Sequence, residues 1–139
     1  MYRDKIAKII GTVFSTLTVL PLAIPVFLSL LVLVMRGKFL YDFLMPAELF
    51  VFTLVGGLGV VVVLALMKKD FRRLAVALSL ALLNLIVSQV YANVSGLAHG
   101  NTELTGTHLF IVSTFIVLYH FFAFLVVFES FRSLKFLRS

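Results

Sequence analysis

Two histidines and two amides stand inside stretches of the chain that are otherwise almost pure hydrocarbon. His120 lies within the apolar run 108–131 and His108 at its start, while Asn84 and Gln89 lie within the run 74–95. A strongly polar side chain in hydrocarbon is costly, so such residues mark ligand sites, proton paths or hydrogen-bonded helix contacts. The imidazole of His120 could serve as an axial haem ligand, as a proton-relay group, or as one wall of a midplane pocket. Asn84 sits near the middle of its run as His120 does of its own, and Ser113 precedes His120 by seven residues on the same helical face. The plainer alternative is a hydrogen bond between His120 and Asn84 that joins two helices. Interhelical polar pairs of this kind are worth ~0.6 kcal/mol on average.

His108 and His120 cannot share one ion. Twelve helical residues separate them by ~18 Å along the axis and ~120° around it. A bis-histidine haem at the midplane therefore needs its second ligand from another subunit, from a second copy, or from a residue other than histidine. The third histidine, His99, falls in the polar loop 96–107, and Met35 and Met45 are candidate outer partners for His108. A second polar set, made of Asp42, Glu48, Gln89, Asn93, His99, Glu103 and His108, gathers at one border of the apolar runs. Glu48, Asn93 and His108 are placed to converge there. Carboxylate with imidazole, Glu48 with His108, suits a divalent metal, a proton exit or a quinone head group, with Gln89 about a turn deeper. It equally suits an ordinary wetted border.

The elements that must position these residues follow from composition. The 139 residues are 62% hydrophobic and 13% charged, with no cysteine, and mean hydropathy is +1.15. A soluble domain carries roughly 25% charge. This excludes an ordinary cytosolic enzyme, a disordered chain and a disulfide scaffold, and it leaves an integral membrane protein. Crossing ~30 Å of hydrocarbon takes ~20 apolar residues. Four runs qualify, approximately 10–35, 47–67, 74–95 and 108–131. None alternates apolar with polar residues as barrel strands do, and lipid cannot satisfy an open backbone. The expected fold is all-α: an antiparallel four-helix membrane bundle forming a single domain over 1–139.

Direction follows from the bases. Arg3, Lys5 and Lys8, then Lys68, Lys69, Arg72 and Arg73, then Arg132, Lys135 and Arg138 fall on one side, leaving Arg36 and Lys38 on the other. By the positive-inside rule both termini are cytoplasmic. The first run is too long for a cleaved signal segment and has no A-x-A-like site after it, so it reads as a retained span. The six-residue turn 68–73 makes spans two and three neighbours. Segment 36–46 is expected to lie in the outer interface as an aromatic anchor, with Pro46 in the first turn of span two. Thr105 or Thr107 is available to cap span four.

Within lipid, helices meet through small residues and interhelical hydrogen bonds. Ala77, Ala81, Asn84, Ser88, Tyr91 and Ser95 form such a seam, and Gly56, Gly57 and Gly59 admit a neighbouring backbone. Pro21 and Pro25 should bend span one. Phe121, Phe124 and Phe128 form a stripe for lipid or packing, and Glu129 with Arg132 forms an interfacial ion pair. The bases lie at membrane borders, where anionic headgroups rather than nucleic acid are the natural partner. No G-x-S-x-G, H-E-x-x-H or Walker A pattern occurs. The Asn93-Val94-Ser95 sequon sits at the end of a span, where access is poor. The expectation is a non-enzymatic structural or accessory subunit of a membrane complex, with partner subunits or further copies of itself. Alternatives are a haem- or quinone-binding electron-transfer subunit using His120 or His108, and an oligomeric small-solute or ion transporter.

Overall fold

The computed structural model describes residues 2–37 and 48–136. Four α-helices account for nearly all of them: α1 (Tyr2–Arg36), α2 (Phe50–Leu66), α3 (Arg72–Val94) and α4 (Gly106–Phe136), with a short 3₁₀ turn (Leu97–His99) between the last two. The described residues contain no strand. α1, α3 and α4 are each long and apolar enough to cross a membrane. α2, at 17 residues, is about 25 Å long, short of the ~30 Å that hydrocarbon demands. The expected second span began at 47, whereas the continuous helix opens at Phe50 after a turn at Leu49. The expected interfacial segment, with Asp42, Met45 and Pro46, lies almost wholly outside the described residues.

The two outer helices outrun their apolar cores. α1 begins eight residues before its hydrocarbon run and carries Arg3, Lys5 and Lys8 on extra turns. α4 continues past Phe131 to include Arg132 and Lys135. α1 stays helical through Pro21 and Pro25. Each proline lacks an N–H, which removes the helical donor to the Leu17 and Pro21 carbonyls. One turn on, Ser29 Oγ donates to the Pro25 carbonyl at 2.6 Å.

The turns are closed by local chemistry. After α2 the Lys69 N–H reaches the Leu64 carbonyl at 2.9 Å, and Lys68 takes a left-handed φ of 53°. Asp70 Oδ1 then accepts the Arg72 N–H at 3.0 Å and satisfies one orphan donor of α3. After α3 the chain reverses at Gly96 and Gly100, both with left-handed φ, near 78° and 70°. Thr102 Oγ1 ties this loop back to the Ser95 carbonyl at 2.7 Å. α4 opens with a backbone bond from His108 N–H to the Thr105 carbonyl, not with the expected threonine side-chain cap.

The most extensive packing joins α1 to α2 and α3 to α4. α1 buries an almost unbroken stripe of small residues and prolines: Ala7, Gly11, Ser15, Thr18, Pro21, Pro25 and Ser29. Gly56 of α2 meets it so closely that a Cβ there would lie 2.6 Å from the Phe14 carbonyl oxygen and 3.0 Å from the Thr18 nitrogen. Gly59 lies under the Phe14 ring, and Gly57 faces Leu78 of α3. The core continues through Val60, Val63 and Leu64 to Leu74, Ala77, Leu78 and Ala81, and on to Tyr119, Ala123 and Val126. The Phe50 and Tyr119 rings meet edge to face at 5.9 Å.

Candidate functional site

The polar residues of α3 and α4 assemble into a fastening between those two helices. Asn84, buried on α3, donates its Nδ2–H to the Phe115 carbonyl of α4 at 3.1 Å. Two turns further along α3, Tyr91 Oη and His108 Nδ1 share a hydrogen bond of 2.7 Å. The Tyr91 ring also packs against Phe115, with centroids 5.9 Å apart. Both bonded pairs lie equally far on either side of the peptide joining His99 to Gly100. A tight helical hairpin has this mirror register, so each level of α3 meets one level of α4.

That register separates His120 from Asn84. It sets His120 level with residue 79, five residues and ~7.5 Å from Asn84 along the axis. Instead of bonding to Asn84, His120 Nδ1 donates to the Ile116 carbonyl one turn back on its own helix, at 2.8 Å. A carbonyl only accepts, so the proton of a neutral His120 sits on Nδ1 and the lone pair on Nε2. The Tyr119 and His120 rings are perpendicular, with centroids 5.7 Å apart.

Among the described residues the outer polar set is not brought together as a cluster. Asn93 turns its amide back to the Gln89 carbonyl of its own helix at 2.8 Å, the Gln89 side chain is exposed, and Glu48 is exposed. His99 sits on the exposed 3₁₀ turn. No three His, Asp or Glu side chains among the described residues lie close enough to hold a metal ion. His108 therefore meets Tyr91, a residue assigned from sequence to a packing seam. The overlooked signal was the loop: its centre fixes the mirror, and the mirror pairs position 91 with 108.

At the opposite end the bases collect. Arg3 of α1 borders the same surface groove as Val63 and Leu66 of α2 and Met67 just after it. Lys69 and Arg73 share a cavity with Glu129 and Arg132 of α4. The expected ion pair is present, Arg132 Nη1 to Glu129 Oε1 at 3.4 Å.

Around the perimeter the surface is apolar. Val34 is 86% exposed, Val94 83% and Phe110 73%, and Phe121, Phe124 and Phe128 all face outward. Water would not tolerate so continuous an apolar surface on a monomer. Lipid does. The geometry describes a membrane-embedded helical protein in which Asn84 and Tyr91 tie α3 to α4. No protein-family model, curated protein or solved structure matches the chain.

Proposed function

We propose that this chain is a multi-pass membrane protein working as a non-enzymatic structural or accessory subunit, in company with other membrane subunits or copies of itself. In this arrangement the helices form an antiparallel bundle, α2 crosses the membrane as the second of four spans, and both termini face the cytoplasm. Orientation rests on the bases: segments 1–9, 68–73 and the C-terminal end hold ten of the twelve Lys and Arg. The observation that carries the structural role is the use made of Asn84 and Tyr91. Each is committed to a bond between α3 and α4, and large apolar side chains surround the bundle as an interface for lipid or for other helices. The test is isolation of the tagged chain from its native membrane in mild detergent. A stoichiometric membrane partner or a homo-oligomer is expected. A lone monomer after crosslinking in intact membranes overturns the proposal.

One observation favours a second reading, haem ligation. His120 Nδ1 donates to the Ile116 carbonyl, and metal-ligating imidazoles commonly donate their other ring N–H to a backbone carbonyl in this way. The other axial ligand would come from a partner or a second copy. A visible spectrum after expression with haem decides it: a Soret band lost in His120→Ala supports ligation, and a featureless spectrum removes it.

A further inference from the structure

Where α3 begins and α4 ends, five cations face two carboxylates. Lys69, Arg73 and Arg132 line a cavity of about 280 Å³ with Asp70, Glu129 and Ser133. Both carboxylates are already engaged. Asp70 accepts the Arg72 N–H at 3.0 Å, and Glu129 is paired with Arg132 at 3.4 Å, the one ion pair at this end among the described residues. The Glu129 side chain is 17% exposed and that of its partner Arg132 41%, so the arginine is the more accessible of the two. Arg72 and Lys135 stand beside the same cavity on the grooves that lead from it. Among the described residues the cations that line the cavity and its grooves outnumber the carboxylates five to two.

Two apolar grooves descend from the charged level. One lies between α3 and α4 and passes from Arg72 and Arg73 along Val76, Ala77 and Leu80 to Leu125. It runs from Arg72 to Leu80 of α3, ~12 Å of depth. The other follows α4 from Lys135 and Arg132 past Phe131, Phe128 and Phe124. A dissolved anion would match the cations and leave the grooves unused. An uncharged apolar molecule would fill a groove and leave the cations unmatched. Only an amphiphile with an anionic head satisfies both.

We propose that this end binds one anionic phospholipid, its phosphate held by Lys69, Arg73 and Arg132 and an acyl chain laid in the groove between α3 and α4. The inference rests on the membrane-spanning reading, and the two fail differently. A chain that stays monomeric in water without detergent overturns the membrane reading, whereas the lipid site is judged by selectivity.

Native mass spectrometry of the full chain in mild detergent, titrated with phosphatidylglycerol and with phosphatidylcholine, provides that judgement. One phosphatidylglycerol is expected to be retained in preference to phosphatidylcholine. A base near the headgroup level changes affinity about five-fold, so Arg73→Gln with Arg132→Gln should weaken retention about 25-fold. The control pair Lys5→Gln with Lys8→Gln, basic residues of α1 that line neither the cavity nor its grooves, should stay within about two-fold. Glu129→Gln should raise affinity about five-fold, a gain that no misfolded variant produces. Equal retention of the two lipids, a control pair that falls as far as the test pair, or a loss in Glu129→Gln overturns the site. Displacement of the lipid by equimolar inorganic phosphate reassigns the cations to a free anion and likewise overturns it.

Discussion

Asn84 shows what a single amide does in a medium that offers it no water. An unbonded amide in hydrocarbon costs several kcal/mol, so its Nδ2–H goes to the Phe115 carbonyl and fixes the level at which α3 meets α4. The net contribution is smaller, because the separated helices find other partners. Asn84→Ala should lower stability by ~0.6–1.7 kcal/mol, measured by unfolding in mixed micelles of rising denaturing-detergent content. Thr53 is the opposite case. Its Oγ1 is buried in α2 with no partner among the described residues, as are Ser15 Oγ and Ser130 Oγ. Thr53→Val exchanges that hydroxyl for a methyl of similar size and should leave stability unchanged or raise it by up to ~1 kcal/mol in the same titration. A marked loss would show that the hydroxyl has a bonding role.

At the level of the element, the contact between α1 and α2 depends on what is absent from the side chains. The stripe from Ala7 to Ser29 presents little beyond backbone, hydroxyl and proline ring, and Gly56 answers it with no side chain at all. Lipid tails are as apolar as leucine, so association here comes from close backbone approach. Two effects compete in Gly56→Ala: a helix-propensity gain of about 1 kcal/mol and a Cβ forced to 2.6 Å from the Phe14 carbonyl oxygen. The obstacle is backbone and cannot rotate away, so the steric term wins. A net loss of ~1–3 kcal/mol is expected by the same unfolding titration. Leu58→Ala, on the exposed side of α2, should change stability by less than ~0.5 kcal/mol. Equal effects from the two substitutions would mean that the glycine contact is not a packing constraint.

For the whole molecule, the proposed orientation makes a mapping prediction. The chain has no cysteine, so single cysteines report position without background. Lys5→Cys, Asp70→Cys and Lys135→Cys should be shielded from a membrane-impermeant maleimide added outside intact cells, and Glu103→Cys should react. Labelling of Lys5→Cys and Lys135→Cys from opposite sides would exclude an even number of crossings. Labelling of Asp70→Cys together with Glu103→Cys would show that α3 does not cross.

Much of this architecture is already present in the order of residues. The long uncharged runs define the apolar segments, lipid permits a helix as the way to house their backbone, and bases and glycines mark where those helices turn. The Arg132–Glu129 pair was legible too, because it is local, three residues apart on one helix. Partnerships between helices were not. On α3 the spacing of Ala77, Ala81 and Asn84 marks the buried face, but nothing local says which residues of a neighbouring helix that face meets. His120 and Asn84 share a mid-run position yet do not bond, and His108 meets Tyr91 rather than Glu48. The stripe on α1 that presses against Gly56 was likewise invisible until its neighbour stood beside it. Sequence determined which apolar helix carries each polar group. Rotation and axial register, which decide whom it meets, emerge only when small residues on two helices come into contact.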